Sequence, residues 1–112
     1  MSCMSVRYTV KEGRGDENQR LIEQVFGELA EHGPMGLRYS AFRLEDGVTF
    51  VHVVSHQSAE GREQFRALPA FQRFLAGLKE RCEVAPVSTP LSEVGTYDSV
   101  PLHHASAATT PA

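Results

Sequence analysis

Apolar and polar positions alternate from Ser5 to Lys11. Val6, Tyr8 and Val10 fall on one side, Arg7, Thr9 and Lys11 on the other, and a period of two is that of a strand. Gly13-Arg14-Gly15 interrupts the pattern. Asp16 stands where a helix N-cap belongs, with Gln19 three residues on as its capping-box partner. Leu21, Ile22, Val25, Phe26, Leu29 and Ala30 then form one stripe at helical spacing. Gly33-Pro34 predicts the end of this helix through a left-handed cap and a missing donor. Next come two runs, Gly36 to Leu44 and Val48 to His56, flanking Glu45-Asp46-Gly47. Asp46-Gly47 suits a two-residue type I′ turn. Such a turn pairs Glu45 with Val48, Arg43 with Phe50, Ala41 with His52 and Tyr39 with Val54. One face of the hairpin then collects Leu37, Tyr39, Ala41, Phe50, His52, Val54 and His56; the other collects Ser40, Phe42, Leu44, Val51 and Val53. Both faces are substantially apolar, so both call for cover, the second most simply by another copy of the chain.

Ser58 to Leu68 reads as a polar, broken helical stretch. Pro69 opens a second helix whose stripe is Phe71, Phe74, Leu75, Leu78 and Cys82. Pro86 to Tyr97 reads as a last strand, and Pro90, lacking a donor, favours a sheet edge. From residue 98 to 112 the chain turns to Ala, Ser, Thr and Pro without periodicity, the pattern of a loose or partner-wrapping tail. The order β-α-β-β-α-β, with right-handed crossovers, predicts an α+β, ferredoxin-like domain over residues 5–97. Its helices cover one face of an antiparallel sheet of strand order 4-1-3-2.

Composition narrows the function by exclusion. The 112 residues make one domain, and a globule this size buries only roughly 60–70% of its unfolded surface, which makes self-pairing effective. Net charge is −3 with Lys and Arg scattered, so no nucleic-acid footprint is present. No apolar run reaches the ~18 residues that span a bilayer. Met1 to Arg7 shows no charged stretch leading into an apolar one. Two cysteines, Cys3 and Cys82, without a CxxC, fit a reduced, cytoplasmic setting.

No motif specifies a reaction. Gly13-x-Gly15 before a helix lacks the spacing of a phosphate loop. His52 and His56 would meet on a helix but stand roughly 13 Å apart on a strand, so no metal site is expected. His103-His104 are adjacent in the tail. His52 is the residue to single out, because it lies mid-strand opposite small Ala41 with Tyr39 diagonal to it at roughly 5–8 Å. A histidine beside a tyrosine in an apolar cleft can take a proton from a phenolic substrate, leaving an electron-rich anion able to reduce oxygen. The competing reading is a core or interface histidine satisfied by a backbone carbonyl or a partner side chain. Asn18 reads first as a helix-surface residue, and Tyr8, Phe71 and Tyr97 as core or cleft lining. Arg7, Arg38 and Arg43 read as sheet-face or rim charges.

Four segments carry a family likeness: Val10-Lys11-Glu12-Gly13 closing the first strand, Gly36-Leu37-Arg38-Tyr39 opening the second, the apolar third strand Phe50 to Val54, and Leu68-Pro69-Ala70-Phe71-Gln72-Arg73-Phe74 opening the second helix. In these the chain resembles the dimeric α/β-barrel superfamily, and within it the antibiotic biosynthesis monooxygenase-like group. The resemblance implies a homodimer whose two sheets close into a barrel, with a cleft between sheet and helices in each subunit. Members of that group include oxygenases acting on polycyclic aromatic substrates without metal or flavin, haem-degrading enzymes and proteins of unassigned activity. The chain departs from the haem-degrading branch, which relies on an Asn, a Trp and a second-helix His: it has no Trp, and Phe71 to Cys82 contains no His. Its third strand also ends in Ser55-His56, where many relatives place an acidic residue and a Trp. The resemblance thus implies a cofactor-independent monooxygenase acting on a small aromatic or phenolic molecule. His52 and Tyr39 would be its catalytic pair, with His56, Phe71, Tyr97 and Asn18 contacting substrate, and neither metal nor cofactor bound. The alternative is a non-catalytic, small-ligand-binding or stress-associated dimer.

Overall fold

The computed structural model describes residues 2–99. Strand β1 spans Ser2–Val10, helix α1 Gly15–His32, β2 Leu37–Arg43 and β3 Thr49–His56. Helices α2 (Ala59–Arg66), α3 (Pro69–Ala76) and α4 (Leu78–Arg81) follow, and β4 spans Cys82–Pro90. The sheet runs β2-β3-β1-β4 with every neighbouring pair antiparallel, which is the expected 4-1-3-2 order read from the other edge. The tail beyond Ser99, with His103-His104, lies outside the described residues.

The hairpin register is the one the sequence predicts: Arg43 opposes Phe50, Ala41 opposes His52 and Tyr39 opposes Val54. Its turn is different. Only Gly47 takes a positive φ, of 79°, and Asp46 does not, so the turn is not type I′. The Asp46 carboxylate accepts hydrogen bonds from Val48 N, Thr49 N and Thr49 Oγ1, which holds Asp46 in an ordinary conformation and keeps Glu45 and Val48 unpaired. Leu44 N donates to Thr49 O instead, across a four-residue loop.

Several boundaries also move. Arg14, not Asp16, occupies the N-cap of α1, without a side-chain cap. Asp16 and Gln19 are drawn away because both accept from Arg43 Nη1, at 3.1 and 2.7 Å. Gly33 ends α1 in an extended rather than left-handed conformation; a Cβ there would approach Leu29 O at 2.6 Å, so close approach is what requires glycine. Ala30 is exposed and leaves the stripe. The segment after β3 is an unbroken helix, because Ser58 Oγ caps Gly61 N. Pro69 opens α3 as expected, and Glu28 of α1 accepts from Ala70 N at 2.8 Å, tying the two helices together. Cys82 begins β4 rather than closing the helical stripe, and Val10 pairs with it. The last strand therefore starts earlier than the sequence suggests and stops at Pro90, short of Tyr97.

One sheet face and the helices enclose the core, with Tyr8, Val10 and Phe50 packed among Ile22, Val25, Phe65 and Phe74. On the other face Phe42, Val51, Arg7 and Val87 form a row across all four strands, and Phe42 and Val87 are 56% and 60% exposed. Among the described residues no helix is long and apolar enough to cross a membrane. Two glycines in α1 provide an opposed pair of predictions. A Cβ on Gly15 would collide with Gly47 O, so Gly15→Ala should cost about 1–3 kcal/mol in chemical denaturation. Gly27 has open space around it, so Gly27→Ala should stabilise by about 0.5–1 kcal/mol.

Candidate active site

Strand pairing positions the site. On β3, His52 faces Val6 of β1 and Ala41 of β2 directly. These are small enough to leave the diagonal positions, Tyr8 on β1 and Tyr39 on β2, free to reach inward. Both do. The Tyr8 hydroxyl meets His52 Nε2 at 2.8 Å, and the Tyr39 hydroxyl meets His52 Nδ1 at 2.7 Å. Behind Tyr8, Asn18 of α1 donates from Nδ2 to the Tyr8 hydroxyl at 2.8 Å. Arg81 of α4 donates from Nε to Asn18 Oδ1 at 3.0 Å and from Nη2 to Phe74 O at 2.9 Å.

This chain of bonds has one polarity. A guanidinium can only donate, which fixes the Asn18 amide with its oxygen toward Arg81 and its NH₂ toward Tyr8. The Tyr8 oxygen accepts from Asn18, and its single proton finds an acceptor in His52 Nε2. His52 then carries its own proton on Nδ1 and donates to the Tyr39 oxygen. The opposite tautomer would leave the buried Tyr8 proton without an acceptor, a cost of about 1–3 kcal/mol. Donation thus runs Arg81 to Asn18 to Tyr8 to His52 to Tyr39, and the Tyr39 proton is left outside this chain of bonds. Bonds aligned in this way polarise one another, and a buried cation stands at the far end, since Arg81 is 2% exposed.

The terminal tyrosine borders a cavity of about 360 Å³ between the sheet and α2–α4, walled by Val6, Val54, Phe65, Phe71, Phe74 and Leu78 among others. Tyr39 is fixed by a stack on Phe26 (centroids 4.8 Å apart, 8° between planes) and an edge contact with Phe65 at 5.2 Å. His52, His56 and Phe71 line the cavity. Asn18 is fully buried and is not a surface residue; it stands behind Tyr8 and outside the cavity lining. Tyr97 is 89% exposed and does not join the site. Tyr8, read as core or cleft lining, also borders the cavity; Arg81 carries no local signal in the sequence beyond sharing one face with Phe74 and Leu78 at helical spacing. Both thiols are free, and among the described residues no group of three or more His, Cys, Asp or Glu side chains could hold a metal ion.

Burial sets the protonation of the chain. It lowers the His52 pKa to about 4 and raises both tyrosine hydroxyls above their ordinary value, Asn18 and Arg81 opposing the rise at Tyr8. All three groups are neutral at pH 7. A pH dependence of stability follows. Unfolded, His52 takes up its proton near pH 6.5; folded, only near pH 4. Between these values the unfolded state binds more protons, so stability is full above about pH 6.5 and declines toward pH 4. The loss is up to about 3 kcal/mol. His56, also lowered, first by burial and then by Arg62 and Arg66, acts in the same direction. Glu17, Glu80 and Asp46 are lowered carboxylates, so their contribution is lost only at more acid pH. Urea denaturation at pH 7, 5.5 and 4.5 should show the decline already at 5.5; a flat profile above 4.5 would contradict the buried, neutral histidine.

No protein-family model matches the chain, and no curated protein does. Solved structures match it in three dimensions. An antibiotic biosynthesis monooxygenase aligns with a TM-score of 0.71 over 85% of this chain and 100% of its own, at 14% identity. A protein of Mycobacterium tuberculosis aligns at 0.69 over 87% and 98% of the two chains, at 15% identity. SnoaB, a cofactor-independent oxygenase from Streptomyces nogalater, aligns at 0.63 over 85% and 94%, at 16% identity. At such identities the likeness is one of fold. It is the ferredoxin-like α+β fold that the sequence predicts.

Proposed function

We propose that the protein is a cofactor-independent monooxygenase that converts a small phenolic aromatic to a quinone, working as a homodimer. The observation that carries this reading is the donor chain ending on the Tyr39 hydroxyl in an apolar, aromatic-walled cavity. A phenolic substrate binds flat against the Phe rings with its oxygen on the Tyr39 proton. Loss of the substrate's phenolic proton to water at the cavity mouth leaves a phenolate, and the donor chain stabilises that charge where it develops. The anion passes one electron to O₂, and the resulting pair combines to form a C–O bond at a ring carbon that still carries hydrogen. The peroxide anion takes a proton back from water, and the hydroperoxide then loses H₂O as its C–H and O–O bonds break and the ring carbon becomes a carbonyl. One phenol and one O₂ give one quinone and one H₂O. His52, engaged at both nitrogens, holds Tyr39 and sets the direction of its proton; Tyr39 touches the substrate.

Exposed Phe42 and Val87, in one row with half-buried Val51 and with Arg7, support the dimer, because apolar side chains on a sheet face gain by being covered. One observation favours a second reading: among the described residues no Asp or Glu lines the cavity, which suits a protein that binds without turnover. Oxygen uptake with anthrone decides between them. The oxygenase consumes one O₂ per anthraquinone formed without added metal or flavin, while saturable anthrone binding without uptake establishes the non-catalytic reading.

A further inference from the structure

The cavity is apolar in its depth and cationic at one end. Phe65, Phe71 and Phe74 succeed one another along its helical wall, with centroids 4.6 and 6.1 Å apart. Where β3 gives way to α2, three basic side chains reach its lining: His56 at the last position of β3, and Arg62 and Arg66 one turn apart on α2. Arg62 and Arg66 are exposed, and neither forms a salt bridge among the described residues, although Glu60 and Glu63 lie on the same helix. Like charges four residues apart weaken a helix, so the spacing of the pair is not explained by helix pairing. His56 is 8% exposed, and its Nδ1 is the one buried side-chain nitrogen or oxygen among the described residues without a hydrogen-bond partner. Polar groups of this kind are normally satisfied. The charges of both arginines reach the imidazole, where they and burial oppose its protonation.

The geometry points to an anion-recognising mouth formed by His56, Arg62 and Arg66, and hence to a planar aromatic acid as the occupant of the cavity. Its ring system lies against the phenylalanines, and its carboxylate is held by the two guanidiniums, whose paired N–H groups match a carboxylate edge. Neutralising the mouth also relieves the repulsion between the arginines. This inference rests on the reading of the cavity as an aromatic-binding site and adds the charge of the ligand to it.

The test uses two flat bicyclic probes. 6-Hydroxy-2-naphthoate carries a hydroxyl and a carboxylate at opposite ends; 2-naphthol lacks the carboxylate. By isothermal titration at low salt the wild-type protein should bind the acid about ten-fold more tightly, or better. The surface double variant Arg62→Gln/Arg66→Gln should lose that preference while binding 2-naphthol as before. Equal binding of the two probes by the wild-type protein, or a preference that survives in the double variant, overturns the anionic mouth and leaves the aromatic cavity standing. Binding of neither probe overturns both.

Discussion

Tyr39→Phe is expected to lower oxygenation of a phenolic substrate by about 10²–10³-fold while leaving its affinity within a few-fold. The phenyl ring keeps the stack on Phe26 and the edge contact with Phe65, so the cavity wall stays in place and ligand packing is preserved. What disappears is the proton at the end of the chain, and with it the donor that stabilises the phenolate. His52 Nδ1 loses its acceptor at the same time, so the variant should also be less stable by about 1–2 kcal/mol. Measuring kcat and KM separately checks this. A variant that raises KM while keeping kcat would show Tyr39 to be a ligand-packing residue and nothing more.

The largest effect on stability should come from Asn18→Leu. Among the described residues Asn18 joins the buried guanidinium of Arg81 to the tyrosine–histidine system. With leucine in its place Arg81 retains the Phe74 carbonyl and a position 5.4 Å from the centroid of the Phe74 ring, but its Nε–H is buried without a partner. Removing a partner from a buried charge costs about 3–5 kcal/mol, or a fall in Tm of roughly 12–25 °C for a domain this size. Asn18→Asp separates stability from function. Its carboxylate still accepts from Arg81, so stability holds within about 1 kcal/mol, but it offers no donor to Tyr8. The Tyr8 proton turns toward the carboxylate, His52 moves its proton to Nε2, and Tyr39 then donates to His52 rather than to the ligand. The folded variant should therefore lose activity about as fully as Tyr39→Phe. Thermal melts and oxygen uptake on the two Asn18 variants check both effects.

The fold was legible because its signals are periodic. Alternation on β1 and the apolar stripe of α1 each report a face, and the spacing around Glu45-Asp46-Gly47 set the hairpin register even though the turn itself is of another type. The Tyr39–His52 diagonal followed directly from that register. The other half of the site did not, since Tyr8 reaches His52 only through the β1–β3 pairing, which no short loop encodes. Asn18 and Arg81, 63 positions apart, meet only when α1 and α4 close over the sheet. Each alone reads as a surface residue on a helix, because local spacing carries no information about a contact formed between elements. Asp16 misled for the converse reason: a good local cap lost to a tertiary partner, Arg43.

The most direct measurement is the ionisation of bound 2-naphthol, followed by the absorbance of its anion across a pH titration of the saturated protein. An apolar cavity alone raises the pKa of a bound phenol, whereas a donor aimed at its oxygen lowers it. 2-Naphthol bound to the wild-type protein should ionise about one pH unit or more below its value in water, and Tyr39→Phe should remove the decrease. A bound pKa above the aqueous value, unchanged in Tyr39→Phe, would show that the tyrosine does not donate to the ligand and would contradict the mechanism.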